Sequence, residues 1–362
     1  MVEQTSTTRK RAKWLERVRH VAWAGLIALA LSFPTLLDPI DQVMWASESR
    51  LSTRPASGEI VFVGAGSDLA DPDSPQGRRQ LAQFISRLDE AGAKAVYVDF
   101  AFDQDTDPAT DADLNTALTE FSGESVLVDQ VNTGLDGEPT LVSSRPAVAS
   151  GVEVVATDSW INYLGYTWYM PYVVSYGEWA LPNLPAHVAG VSGKAGENFL
   201  IDYDFELGSI PSYRFENIAT AGADLSALSG KTVVIGIISR QGSQPRNIPG
   251  LPDVSPTLVS IYAAETLKAG PPHYVGALPA LLAALAALLV VCTIRNNAVR
   301  RAGYLAIAIV VLTTPLLAPL VDLRISTAYA LAIVAVYALF RVRTQWQRNL
   351  LLVDPQTNLP TF

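Results

Sequence analysis

The sequence predicts an α/β extracytoplasmic domain joined to a four-helix α-helical transmembrane region. Three observations carry that prediction. Four stretches, Val21–Leu37, Val275–Ile294, Ala302–Val321 and Ile325–Phe340, contain no charged residue. The charges are sorted around them: residues 38–276 hold 13 Lys/Arg against 31 Asp/Glu, a net of −18, while the rest of the chain nets +9. Within the acidic block, short apolar runs alternate with segments of helical period, the pattern of strands joined by helices. With 49% hydrophobic and 17% charged residues over 362 positions, the composition excludes a disordered chain. A total charge of −9 gives no support to nucleic-acid binding.

Residues 1–20 carry Arg9, Lys10, Arg11, Lys13, Arg17 and Arg19 against two acids, a basic cytosolic N-terminus. Residues 21–37 follow as the first transmembrane helix. A spanning helix needs about 17–25 apolar residues, so the first and fourth stretches are expected to be extended by their flanks. A cleaved signal peptide is disfavoured, because Pro34 and bulky residues stand where a small-x-small site belongs.

The extracytoplasmic domain is placed at 38–274. Glu59–Gly64 reads as a short apolar strand, and Ser74-Pro75 as an N-cap followed by proline at the first helical position. Leu81, Phe84, Ile85 and Leu88 form one apolar stripe, and Gly92 ends the helix. Lys94–Phe100 is the next strand, which suggests a βαβ crossover. A second helix carries Leu114, Ala117, Leu118 and Phe121 at the same spacing, followed by the strands Ser125–Asp129, Val152–Thr157, Asn198–Ile201 and Thr232–Ile237. Gln241–Pro256, with four prolines and two glycines, reads as a loop, and a helix is expected near Thr257–Lys268.

The remaining transmembrane helices are placed at 275–294, 302–321 and 325–340, with 341–362 as a cytosolic segment. Arg295, Arg300 and Arg301 join the second helix to the third, and Arg341, Arg343 and Arg348 follow the fourth. Four spans with both termini in the cytosol satisfy the positive-inside rule at all three basic clusters and leave the acidic block outside. The stretches hold no ionisable carboxylate or base, so they read as an anchor and signal conduit rather than a transport path. The single cysteine, Cys292, lies in the second stretch, which leaves the outer domain without a disulfide; the 239 residues of the acidic block 38–276 suffice for a core without one.

Candidate sites are few. Asp103, Asp105 and Asp107 alternate as in a calcium loop, but Pro108 and Leu114 stand where its glycine and bidentate glutamate belong. A solvated acidic loop, whose Asp111 and Asp113 favour the start of a helix, is the expected alternative. Between Trp160 and Trp179 stand eight aromatics: Trp160, Tyr163, Tyr166, Trp168, Tyr169, Tyr172, Tyr176 and Trp179. They could line a ligand pocket, a dimer interface or the bilayer surface, or form a core edge of partly buried rings, and spacing does not choose. His20, His187 and His273 are the only histidines, and no spacing proposes a nucleophilic or metal constellation around them. Gly64-Ala-Gly66 follows a strand but lacks the third glycine of a phosphate-binding fingerprint. No catalytic residue and no cofactor are therefore assigned.

The runs EIVFVGAGSDLADPDSPQGRRQLAQFISRLDEAGAKAVYVDFAFDQD, FLIDYDFELGSIPSYRFENI and LSGKTVVIGI, with the helix SPTLVSIYAAETLKAG, carry a resemblance that extends over most of 38–276. Together they resemble the CHASE type-2 domain, an extracytoplasmic input module of bacterial receptors, and the spacing of the C-terminal spans is similar to that family. Asp354-Pro-Gln-Thr357-Asn-Leu359-Pro360 resembles the opening of a GGDEF domain. The two resemblances imply the sensory half of a bacterial inner-membrane receptor, homodimeric, with an unidentified extracytoplasmic ligand. Its output would be a second-messenger enzyme acting on cyclic di-GMP, with GGDEF or EAL domains following Phe362, so that this chain itself is not an enzyme. The alternative from a different class is a non-enzymatic envelope scaffold with an acidic external domain.

Overall fold

A computed structural model describes residues 2–32, 36–51, 53–66, 72, 74–133, 139–162, 164–220, 222–238 and 246–350. The chain divides into two units: Ser49–Pro272, and residues 1–48 together with 273–362.

The first unit is built on a seven-stranded sheet. Its strands are β1 (Ile60–Ala65), β2 (Ala95–Asp99), β3 (Glu124–Thr133), β4 (Pro139–Val142), β5 (Glu153–Thr157), β6 (Ser212–Arg214) and β7 (Thr232–Ile237). Their order is β6-β1-β7-β2-β3-β4, with β5 pairing in addition with β3. All pairs are parallel except β3 with β4. Every residue of β1 and β2 is buried, which is why these strands read as unbroken apolar runs rather than as alternating ones.

Each predicted element has a physical counterpart here. Ser74 caps the helix Pro75–Glu90 by accepting the Gly77 N–H at 3.0 Å, and Gly92 follows the helix with φ +74°. Leu81, Phe84, Ile85 and Leu88 pack into the core with Val61, Val96, Leu114, Leu118, Leu127 and Val233. The strand–helix–strand run from β1 to β2 is parallel, but β7 lies between the two, so the crossover skips one position. Asn198–Leu200 is a strand as expected, yet it pairs antiparallel with Tyr169–Pro171 outside the main sheet. The Pro-rich segment after Gln241 contains a small hairpin, Arg246–Ile248 with Leu251–Val254, which turns at Gly250.

The second unit is helical. Its helices are Val2–Ser32, Asp38–Glu48, Ala277–Thr293, Asn297–Leu317 and Ala328–Leu350. Val21, Ala24, Ala28, Leu281, Leu288, Ile333 and Tyr337 are among the residues of its core. Among the described residues, one helical segment, Asn297–Val321, is long and apolar enough to cross a membrane, and Ala277–Thr293 is apolar but shorter. Val2–Ser32 begins well before the first uncharged stretch and ends within it, and Ala328–Leu350 begins within the fourth and runs past its end, so both helices include residues that carry charge. The turn at Asp322 is more ordered than its length suggests. Leu323–Ile325 pairs in parallel with His273–Val275, and Arg324 forms an ion pair with Glu48 at 3.1 Å with both side chains buried. The Asp41 carboxylate accepts the N–H groups of Thr327 and Ala328 at 2.8 and 2.9 Å, which caps the start of the last helix.

Candidate functional site

A parallel sheet gathers all strand starts on one edge and all strand ends on the other, so the two edges collect different residues. At the C-terminal edge, Asp99 ends β2. Its carboxylate accepts from Thr257 Oγ1 at 2.6 Å and from Gln130 Nε2 at 2.9 Å, and burial raises its pKa. Thr257 reaches Asp99 only because Gly236 on β7 has no side chain: a Cβ there would overlap the threonine hydroxyl. Asp129, in β3, accepts the Ser144 N–H at 3.2 Å and is likewise raised by burial. Beyond β2, Arg78 and Asp111 form a buried ion pair. Arg78 also donates to the Gln104 carbonyl at 2.8 Å, and Thr106 donates to Asp111 at 2.6 Å. The sequence predicts a solvated helix-start acid at Asp111; the residue is instead 5% exposed, because Arg78 on the neighbouring helix supplies its counter-charge. Among the described residues these groups are matched by donors inside the fold.

The N-terminal edge is open. There a cleft of about 610 Å³ is lined by Lys94, Tyr97, Glu124, Tyr172, His187 and Thr232, among others. His187 comes from the short helix Leu184–Val188, whose preceding Asn183 is buried and bridges to Ala156 in β5. Its ring stands between two glutamates that open neighbouring strands, Glu124 on β3 and Glu153 on β5. His187 Nε2 lies 3.0 Å from Glu153 Oε1, and Nδ1 lies 3.0 Å from Tyr97 Oη and 3.6 Å from Glu124 Oε1. Tyr97 Oη donates to Glu124 Oε2 at 3.2 Å. Burial, reinforced by the charge of Glu124, pushes the Tyr97 phenol far above its ordinary pKa, so it stays protonated. One ligand atom each from Glu124, Glu153 and His187 lies within 4.8 Å of the other two, and the set could hold a metal ion. At one border of the cleft, Lys268 pairs with Glu59.

The residues singled out from the sequence fall elsewhere or scatter. Asp103 accepts from Gln104 at 3.1 Å, Asp105 pairs with Arg145 at 2.6 Å, and Asp107 caps the helix Pro108–Thr119 through the Ala109 N–H. The aromatic run does not act as one surface. Trp168 is buried between Tyr166 and Tyr203, Tyr169 opens the strand Tyr169–Pro171, and Trp160 is 57% exposed. Tyr163 lies outside the described residues, as do 351–362 with the Asp354–Pro360 run. Tyr172 lines the cleft and packs in a tilted arrangement against Phe199, ring centroids 5.0 Å apart, while Tyr176 donates to Asp158 at 2.5 Å. Spacing gives no sign of the His187 cluster, because its members come from three separate segments. The signal that exists is positional: Glu124 and Glu153 each adjoin the start of a predicted strand, and parallel pairing alone sets them side by side. Nor does the sequence single out Arg246. Its Nε and Nη1 are buried without a hydrogen-bond partner among the described residues, and burial lowers its pKa to about 10.

The CHASE2 domain model matches residues 21–294, and the chain belongs to the CHASE2 domain family. CHASE2 is an extracytoplasmic sensor domain, so membership is consistent with a sensory role. The mixed α/β unit and the apolar helix Asn297–Val321 agree with an extracytoplasmic domain on a membrane protein. Neither the curated proteins nor the solved structures contain a match to this chain.

Proposed function

We propose that this chain is the sensory and transmembrane part of a bacterial inner-membrane receptor, with the α/β unit in the periplasm or outside the cell and both termini in the cytosol. The observation that carries the proposal is the CHASE2 match over residues 21–294, which takes in the whole α/β unit and the apolar segments on both sides of it. Four spans, at 21–37, 275–294, 302–321 and 325–340, fit the three basic clusters. Leu305, Ile309, Val310, Leu312 and Leu316 are exposed along Asn297–Leu317, an apolar surface suited to lipid. The chain works as a homodimer and controls a cyclic di-GMP enzyme that follows the Asp354–Pro360 run. The cleft at the N-terminal edge of the sheet receives the external ligand, which must bind two conformations of the unit unequally to transmit anything.

Disulfide crosslinking tests the proposal. With Cys292→Ser as background, Gln345→Cys places a thiol on the last helix of each copy. The yield of crosslinked dimer in native membranes is expected to change between conditions that raise and lower cellular cyclic di-GMP. A yield that stays constant while cyclic di-GMP changes would contradict the proposal.

A further inference from the structure

Three contacts share the His187 ring and the Tyr97 phenol: Nε2 with Glu153 at 3.0 Å, Nδ1 with Tyr97 Oη at 3.0 Å, and Tyr97 Oη with Glu124 at 3.2 Å. With both carboxylates ionised, each contact needs a positive atom between its two electron-rich ones. The phenol brings one proton and the neutral imidazole brings one. If Tyr97 donates to Glu124 and Nδ1–H donates to Tyr97, the Nε2 lone pair faces the Glu153 carboxylate with nothing between them. If Nε2–H donates to Glu153 and Tyr97 donates to Nδ1, the Tyr97 and Glu124 oxygens are left facing each other. With a neutral imidazole the arrangement is one cation short.

We infer that Glu124, Glu153 and His187 form a binding site for a divalent transition-metal ion of the zinc type, with Nε2 of His187 and one oxygen from each glutamate as ligands. Imidazole and carboxylate are suitable donors for such an ion at about 2.0–2.2 Å, which sets tetrahedral ligand atoms about 3.4 Å apart. The 3.0 Å between Nε2 and Glu153 Oε1 is close to that spacing already. The three ligand atoms lie within 4.8 Å of one another, and the Glu124 and Glu153 side chains are 45% and 56% exposed, which leaves both room to turn toward a shared ion. The surroundings also match what a ligating histidine requires. With Nε2 on the metal, the ring proton sits on Nδ1 and donates to Tyr97 Oη, 3.0 Å away, and the Tyr97 proton orients Glu124 through Oε2, leaving Oε1 for the metal. Three protein ligands leave a position open toward the cleft for water or a further ligand. The inference stands on the geometry of the α/β unit and holds whether or not the chain is a receptor.

The test is calorimetric titration of zinc chloride into the full chain, purified in detergent without a polyhistidine tag and stripped with chelator. One saturable site per chain is expected. Glu153→Gln and His187→Ala should each weaken it at least about 100-fold, and Tyr97→Phe, which removes only the orienting phenol, about 10- to 100-fold. Glu59→Gln, in the same cleft but outside the triad, should leave it unchanged. Cobalt(II) should give visible d–d absorption that Glu153→Gln abolishes. Absence of zinc binding by the unsubstituted chain overturns the inference, and so does binding that survives Glu153→Gln; a second N–H proton on the imidazole ring would then be the missing cation. If His187→Ala does not fold, Glu153→Gln and the cobalt spectrum decide between these outcomes, because that glutamate is half-exposed.

Discussion

At the C-terminal edge of the central sheet, Asp99, Asp111 and Asp129 are each met by donors from the fold: Thr257 and Gln130, Arg78 and Thr106, and the Ser144 backbone. At the opposite edge Glu124 and Glu153 stand half-exposed on either side of His187, in a cleft. Open α/β sheets ordinarily bind ligands beyond the carboxyl ends of their strands. Here the described part of that end is tied together by internal hydrogen bonds and the other end is open. The contrast teaches that carboxylates are read by what surrounds them: matched and buried ones hold the fold, and a half-open set around an imidazole is available for binding.

The sharpest way to break the comparison is at Arg78. Arg78→Met leaves Asp111 as an unpaired buried charge and should cost about 3–5 kcal/mol in denaturant unfolding of the full chain in detergent, followed by tryptophan fluorescence. Arg79→Ala breaks the exposed pair with Asp107 and should cost less than about 1 kcal/mol. Equal losses would remove the distinction between matched, buried pairs and surface ones. Thr257→Val takes a donor from Asp99 and should cost about 1–3 kcal/mol in the same measurement.

A pH series sharpens the point. Burial raises the pKa of Asp99 above the ordinary 3.8, so the folded chain keeps this proton after the unfolded chain has lost it. The stability it contributes is full below the ordinary value and is lost as pH rises toward the folded-state pKa. Asp99→Asn should therefore flatten the decline of Tm as pH rises above the ordinary carboxylate value. Parallel curves for the two proteins would mean that Asp99 is not held neutral. The smallest effect belongs to the open edge: Glu153→Gln should change stability by no more than about 0.5 kcal/mol while removing zinc binding. A large loss of stability there would make the cleft a structural element.

Much of the α/β unit is legible in the amino-acid sequence, because β1, β2 and β7 are buried on both faces and read as apolar runs beside glycines, and because Ser74-Pro75 and Gly92 mark both ends of a helix. The insertion of β7 between β1 and β2 is not legible, since all three are equally apolar and nothing local records which neighbours they take. Asp111 departs from its expected solvated state for the same reason: its partner Arg78 sits on another helix. The His187 cluster exists only through the pairing of β3 with β5 and the bridge from Ala156 to Asn183, contacts between segments far apart in the chain. The aromatic run is conspicuous as composition, but its described members meet different surroundings, with only Tyr172 among them lining the cleft.

The open edge can sense an external signal only if the α/β unit lies outside the cytosol, and reporter fusions measure that directly. Alkaline phosphatase fused after Ser150, within the α/β unit, should be active, while a fusion after Gln345 should be inactive. Inactivity at Ser150 in an expressed, full-length fusion would place the unit in the cytosol and contradict the extracytoplasmic sensor.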